Sequence, residues 1–327
     1  MKFLPFVFVG AALVAMAPGA AQAQSAAAFP TKPVTLVVPY TANSGSDIIA
    51  RVISPRLQAR WGQPVIVDNK PGASGHLGTG AVAKAVPDGH TLLMMINSIT
   101  MAQPLYKNVP YDLATDFAPV AELAQAGFAL GVHPGVPATD MQSLIAHVRK
   151  SGGKVDFASP GKGTPQHLGM EILKARYGLD MQHVPYKGIG GALTDLMGGQ
   201  VQMLFGSVHS MLPNVQAGKI RLLAVTGAAR NPLVPQVPTF REQGIDAMES
   251  LDAWYAVMAP ARTPPELVAR LNRDVLAVVG MDEVKPELAK LGLAVRTGSP
   301  EQLGALVKSD LARWRKVIKD AAITAED

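Results

Sequence analysis

The chain has 327 residues, a formal net charge of +5 and no cysteine. The missing cysteine excludes disulfides, thiol nucleophiles, thiolate metal centres and a lipid anchor on an N-terminal Cys. The 30 Lys and Arg residues are dispersed rather than gathered into a block, and a nucleic-acid partner would want a basic patch.

The first predicted element is a processing signal. Lys2 gives it a positive start, and Phe3 to Ala15 is an apolar run. That run is too short to span a bilayer, which takes about 20 residues. Ala21-Gln22-Ala23 is a small-x-small cleavage site. Residues 1–23 are therefore expected to direct export and to be removed before Gln24. The rest of the sequence offers no second membrane candidate.

Val34, Leu36, Val37 and Val38 form a short β-branched run suited to a strand buried on both faces, and Pro39 ends it. Thr41 to Ser46 is a loop of small polar residues, in which Gly45 is free to take angles that other residues avoid. Ser46 or Asp47 can cap the helix expected over Asp47 to Arg60, with Ile49, Val52, Ile53 and Leu57 on one face. A small-residue loop that feeds a helix start is an anion cradle, because unpaired N–H groups and the helix dipole both point at it. It is equally the ordinary turn of any α/β unit.

A second strand is expected at Val65 to Val67, a loop at Asn69 to Gly75, and a helix from Gly78 to Ala85. The third strand, Leu92 to Ile96, ends at Asn97-Ser98. Strands alternating with helices imply a parallel sheet. Ligands of such sheets bind beyond the carboxyl ends of the strands. Thr41–Ser46 and Asn97–Thr100 then share one edge.

Phe117 to His133 is long, mostly apolar and breaks the rhythm, as a crossing into a second domain would. Asp140 caps a helix carrying Leu144, Ile145 and Val148. Val155 to Ala158 is a strand, Ser159-Pro160-Gly161-Lys162-Gly163-Thr164 a loop, and Pro165 suits the first turn of the next helix, whose apolar side is Leu168, Ile172 and Leu173. This repeats the design of residues 34–60 without repeating its sequence. Two helix starts, one per domain, would face each other across a cleft. A carboxylate there would take N–H groups from both, plus hydroxyls of Ser46, Ser159 or Thr164. Charge-assisted bonds of this kind contribute about 1.5–3 kcal/mol each.

Further on come His183 to Gly188, a helix at Ala192 to Met197, a strand at Val201 to Phe205, a helix at Met211 to Ala217 and a strand at Leu222 to Val225. Leu251 to Met258 is apolar and aromatic, the candidate return crossing. Helices follow at Pro265 to Val279 and Pro300 to Ala321, with a short strand at Leu293 to Val295 between them. Two crossings make the first domain discontinuous.

Nine stretches in order carry a resemblance: FPTKPVTLVVPYTANSGSDIIARVISPRL, GQPVIVDNKPGASGHLGT, AVPDGHTLLM, QPLYKNVPYD, FASPGKGTPQHLGMEIL, HVPYKGIGGALTDLMGGQV, AGKIRLLAVTGAAR, VPTFREQG and APARTPPELVARLN. Together they resemble the substrate-binding receptors of tripartite tricarboxylate transporters, the Bug (Bordetella uptake gene) family. The resemblance implies an α/β, two-lobed, periplasmic-binding-protein-like (type II) fold, with two parallel-rich sheets and a cleft between lobes. Lobe 1 would comprise residues 24–125 and 248–327, and lobe 2 residues 126–247. Such a protein is periplasmic and monomeric, binds no nucleic acid, and closes on a small carboxylate without cofactor or metal. It hands the ligand to the membrane permease subunits of the transporter, or alternatively presents its closed form to a sensor kinase.

Carried over by motif, the ligand-binding residues are Tyr40, Thr41, Asn43, Ser44, Gly45, Ser46 and Asp47 in the first loop. Asn97 and Ser98 belong to a third loop, and Ser159, Gly161, Gly163, Thr164 and His167 to the second-lobe loop. Ser207 follows strand 201–205. The chain departs from the family where Asn43 and Ser44 replace glycines, where Gly206-Ser207 stands in place of a frequent Asp, and where Met101 stands near a frequent His. Asp47 reads either as an acceptor for the ligand or ordered water, or as a cap and loop brace. His167 reads either as a donor to a carboxylate or as a bond to the loop backbone. Trp254 and Tyr255 suit a hinge strand.

Enzyme motifs are missing. Gly72-Ala73-Ser74-Gly75-His76 fails the nucleophile elbow at its last position. Gly188-Ile189-Gly190-Gly191 does not complete a dinucleotide fingerprint. The seven His residues include no H-x-x-x-H pair for a metal. Ser159 and His167 as nucleophile and base would lack a third partner, which leaves an exported hydrolase as a remote alternative to a binding protein.

Overall fold

The computed structural model describes residues 29–320 apart from Asn43, Lys107, Lys187, Glu249 and Ser250. The expected signal segment, the cleavage before Gln24, the Asn43 position and Ala321 lie outside the described residues. In chain order the first elements are β1 (Val34–Val38), α1 (Gly45–Trp61), β2 (Val65–Asn69), α2 (His76–Ala83), β3 (Thr91–Ile96), α3 (Ser98–Ala102), β4 (Phe117–Ala126) and β5 (Phe128–Val132). Next come α4 (Met141–Ser151), β6 (Asp156–Ser159), α5 (Pro165–Tyr177), β7 (Gln182–Pro185), α6 (Ile189–Met197), β8 (Met203–Ser207), α7 (Val208–Gln216) and β9 (Arg221–Val225). The chain closes with β10 (Ala253–Pro260), α8 (Pro265–Val279), α9 (Val284–Lys290), β11 (Leu293–Val295) and α10 (Pro300–Asp320).

The strands form two sheets, ordered β11-β4-β10-β3-β1-β2 and β7-β6-β8-β5-β9. β1 pairs in parallel with β2 and β3, and β6 with β7 and β8. The other ladders are antiparallel: β10 with β3 and β4, β11 with β4, and β5 with β8 and β9. The sheets are thus mixed, where alternation alone implied parallel ones. The reason is the crossing. β5 enters its sheet straight from the other one, and β10 after a connection over residues 226–252 that holds only short 3-10 turns; both enter at the edge where their neighbours end, with no α-helix to carry the chain back. A strand that starts there has to run antiparallel.

Gly127 alone separates β4 from β5, so the Phe117–His133 stretch is one strand of each sheet. Beside it, the Asp252 carboxylate accepts from Gln125 Nε2 at 2.6 Å and from the Thr226 hydroxyl. Thr226 in turn accepts from the Phe128 backbone N–H at 2.8 Å. Asp252, just ahead of β10, therefore ties both passages between the sheets together. Burial pushes its carboxyl up to about 6, against the opposing pull of Thr226 and Arg296.

Hydrophobic burial holds the rest. Leu36, Ile49, Ile53, Leu57, Phe157, Phe205, Phe240 and Trp314 are all fully buried. Burying one such side chain contributes roughly 1.5–3 kcal/mol, against at most about 1 kcal/mol for an exposed ion pair. A disulfide-free chain has to rely on the first. Among the described residues no helix is long and apolar enough to cross a membrane. β7, α3 and α9 are elements that the sequence pattern did not announce, being short and weakly periodic.

Candidate functional site

The carboxyl ends of β1 and β3 in one sheet, and of β6 and β8 in the other, lead into the loops that carry the predicted residues. The first loop ends at Ser44, which caps α1. Its backbone is extended (φ −70°, ψ 159°) and its hydroxyl accepts from Asp47 N–H at 3.3 Å. The helix therefore begins at Gly45, ahead of the Ser46 or Asp47 cap that the sequence suggested. Gly45 is not needed for an unusual backbone angle either. A Cβ built on it would stand 2.3 Å from Tyr255 Oη, so the buried tyrosine is what requires glycine.

Asp47 is 1% exposed, and its oxygens are held by the protein. Arg51 Nε donates to both, at 3.1 and 3.0 Å, and Asn69 Nδ2 donates to Oδ1 at 3.0 Å. Asn69 also donates to the Tyr40 carbonyl at 3.1 Å and accepts from Arg51 Nη2 at 3.2 Å. This is the geometry of a brace that fixes the first turn of α1 to the end of β2. Arg51 and Asn69 were not legible as its partners beforehand, because they come from a helix turn and a separate strand.

Tyr40 Oη lies 2.6 Å from Ser98 Oγ, which joins the first loop to the start of α3. Burial pushes the Tyr40 phenol up to about 12, so it stays protonated and able to donate. Thr41 is exposed. Asn97 is fully buried; its Nδ2 donates to the Asp252 carbonyl at 2.9 Å, and its N–H to the Trp254 carbonyl at 3.1 Å. Thr100 extends the network, with its hydroxyl 2.6 Å from the Asn97 carbonyl and 2.8 Å from Asp310 Oδ2. Two buried oxygens on these loops, Ser46 Oγ and Asn97 Oδ1, have no hydrogen-bond partner among the described residues. Leaving a buried polar atom unpaired costs about 1–3 kcal/mol.

In the second sheet, Thr164 caps α5 and accepts from His167 N–H at 3.3 Å, while its hydroxyl donates to the Gly161 carbonyl at 2.7 Å. Pro165 occupies the first helical turn, as its fixed φ suits. Gly161 and Gly163 have φ of +152° and +73°, where a side chain brings strain. Gly163 N–H donates to His167 Nδ1 at 3.1 Å, which leaves the ring proton on Nε2. His167 therefore bonds the loop backbone, the structural one of its two readings.

His183, missed by sequence reasoning, completes this loop. Its Nε2 is 2.6 Å from Ser159 Oγ, and its ring stacks on His167 with centroids 4.0 Å apart and on Phe157 at 5.0 Å. The partner of Ser159 is thus His183 and not His167, and Ser159 is fully buried. Burial, then the neighbouring Lys162 and Lys174 charges, hold His167 down to about 4. Burial, with His167 next, holds His183 down to about 3. Both rings are neutral at pH 7. The missed signal was β7, which registers His183 beside Phe157 in β6.

Ser207 ends β8 and donates to Ser210 Oγ at 2.8 Å, a contact within its own turn. The structure brings the Tyr40 and Ser98 loops together directly. It brings the second-sheet loop against the 3-10 turn that follows α3 through Gly163, where a Cβ would lie 2.9 Å from Leu105 Cδ1. Among the described residues there is no group of three or more His, Asp or Glu side chains placed to hold a metal ion.

A protein-family model described as the tripartite tricarboxylate transporter family receptor matches residues 49–323. Protein BugT of Bordetella pertussis is 32% identical over 304 residues, covering 92% of this chain and 93% of BugT. A solved R. palustris protein with adipate superposes with a TM-score of 0.80 at 36% identity, over 90% of this chain and 99% of that one. MatC from Rhodopseudomonas palustris with bound malate gives a TM-score of 0.77 at 31% identity, over 89% and 100% of the two chains.

Proposed function

The chain belongs to the tripartite tricarboxylate transporter receptor family, whose members are periplasmic solute-binding proteins, and from that premise we propose that it closes on a small carboxylate-bearing ligand held between its β1–α1 and β6–α5 loops. Residues 24–125 and 248–327 act as one lobe and residues 126–247 as the other, and they swing about the β4–β5 and Asp252 crossings. Residues 1–23 export the chain and are cleaved before Gln24. The loaded form delivers its ligand to the membrane subunits of a tripartite transporter. It acts by binding rather than turnover.

The observation that carries this reading is the pairing of designs. Each sheet sends a strand into a small-residue loop and a side-chain-capped helix start, at Ser44 and at Thr164. Each start offers N–H groups and a positive dipole end to an anion. The adipate and malate of the two solved relatives are dicarboxylates, the chemistry such a site suits. Of the two unpartnered oxygens, the Ser46 hydroxyl donates or accepts and Asn97 Oδ1 accepts, which suits water or a hydroxyl on the ligand.

The test is a thermal-shift panel on the protein from Gln24 onward, with dicarboxylates set against their neutral amides. A ligand at about 100 times its dissociation constant adds about 2.7 kcal/mol of stability. A shift with an acid and none with its amide supports the reading. Shifts with neutral compounds alone would overturn it.

A further inference from the structure

A cavity of about 700 Å³ lies on the other side of the β4–β5 crossing from these loops. In the first sheet β10, β3 and β1 lie to one side of β4, and β11 to the other. In the second sheet β8 and β6 lie to one side of β5, and β9 to the other. The cavity is walled by residues 226–233, which follow β9, and by residues 292–296 around β11. The crossing therefore stands between it and the loops of β1, β3, β6 and β8. Its volume falls within the roughly 300–1,000 Å³ typical of small-molecule sites.

The lining has a consistent chemistry. One part is apolar, with Ala228, Leu233, Leu293 and Ala294 among its residues. The polar part offers donors. Arg296 spends Nε on Gln125 Oε1 at 2.8 Å, which leaves its two Nη groups without a hydrogen-bond partner among the described residues. Asn231 spends Oδ1 on Leu233 N–H at 2.9 Å, and its Nδ2 lies over Gly127, 3.0 Å from where a Cβ there would stand. The acidic group in the wall, Asp252, already has both oxygens engaged by Thr226 and Gln125. Arg230 is paired with Glu242 at 3.0 Å. The Arg296 charge already acts on the Glu122 and Asp252 carboxyls, but its Nη groups and Asn231 Nδ2 remain donors beside an apolar wall, and they call for an acceptor on an apolar body.

We propose that this cavity is a second binding site, for a small amphipathic carboxylate whose apolar body lies against Leu233 and Leu293 and whose anionic head meets Arg296 and Asn231. Because the two walls come from different sheets, the occupant bridges them and is sensitive to how the sheets are set about the crossing. This site stands apart from the one between the helix starts, so either can fail without the other.

The experiment is amide NMR of the whole chain from Gln24, titrated with 4-phenylbutyrate as the probe. The expected result is shift changes at residues 227–233 and 292–296. They vanish in Ala294→Trp, which fills the cavity from an exposed strand position. In Arg296→Ala binding is at least about tenfold weaker, as loss of a charge-assisted bond implies. The neutral 4-phenylbutyramide binds more weakly than the acid. Shift changes confined to residues 40–47 and 159–167, no change at millimolar probe, or binding unaltered in Ala294→Trp would each overturn the proposal.

Discussion

The hydroxyl of Tyr255 occupies the space that a side chain at residue 45 would need: a Cβ on Gly45 would stand 2.3 Å from Oη and 2.9 Å from Cζ. One residue opens the helix beneath a candidate anion cradle, and the other belongs to the strand that returns from the second sheet. The cradle and the return crossing are therefore packed as one unit. Gly45→Ala forces Tyr255 or the helix start to move, and overpacking of this kind costs about 1–3 kcal/mol. Tyr255→Phe removes the nearest atom, so the double variant recovers part of the loss. Urea unfolding of the four proteins in a double-mutant cycle measures the coupling. Strictly additive effects would show that the two residues do not contend for this space.

Asp47 is predicted to act as a brace. Asp47→Ala strands Arg51 and Asn69, and is expected to lower stability by about 1–3 kcal/mol, Arg51 being half exposed and so partly rehydrated. Ligand affinity falls with it, because the first turn of α1 loses its anchor to β2. Arg51→Ala should reproduce much of the affinity loss although Arg51 lies outside the predicted ligand set. If calorimetry shows Arg51→Ala binding like the wild type while Asp47→Ala fails, Asp47 touches the ligand instead.

Acid should loosen the second loop. His167 and His183 have folded values of about 4 and about 3, below the ordinary 6.5. The unfolded chain therefore takes up protons first as pH falls. The stability these rings contribute is fully present above about pH 6.5 and is lost as pH drops through about 4. His167→Gln keeps an acceptor for Gly163 N–H and removes one titration. The stability difference between wild type and this variant should shift in the variant's favour between pH 7 and pH 4. A difference constant over that range would refute the assignment.

Asp252 runs the other way. Its folded value is about 6, above the unfolded carboxylate range, so the fold disfavours the ionised form relative to the unfolded chain. Its contribution is fully present below about pH 3.9 and fades as pH rises through about 6. Asp252→Asn mimics the protonated side chain and should therefore compare better with wild type at pH 8 than at pH 5. Thermal unfolding at the two pH values decides it, and the reverse order would mean that the carboxylate is needed ionised.

Gly163 is pinned twice, by a φ of +73° and by Leu105 from the 3-10 turn that follows α3. Gly163→Ala should weaken carboxylate binding by about tenfold or more, since backbone strain of about 1–3 kcal/mol falls on the loop itself. Leu105→Ala in the same chain relieves the clash but not the strain, so it restores affinity only in part. Complete restoration in a binding titration would show that the backbone angle is no constraint.

Local sequence determined the elements that depend on near neighbours. The β-branched run at Val34, the glycines at 161 and 163, Pro165 and the apolar faces of the helices each act over a few residues, and those elements form where the pattern put them, with helix ends displaced by up to three residues. The strand-loop-helix design of the two loops was legible for the same reason. Tertiary structure alone decided the rest. Strand direction in β5 and β10 depends on the edge at which the chain enters each sheet, which no period records. Asp47 found Arg51 and Asn69, Ser159 found His183, and Gly45 was dictated by Tyr255, because hydrogen bonding and excluded volume act between whatever atoms the fold brings close. Residue type named the candidates, and packing chose their partners.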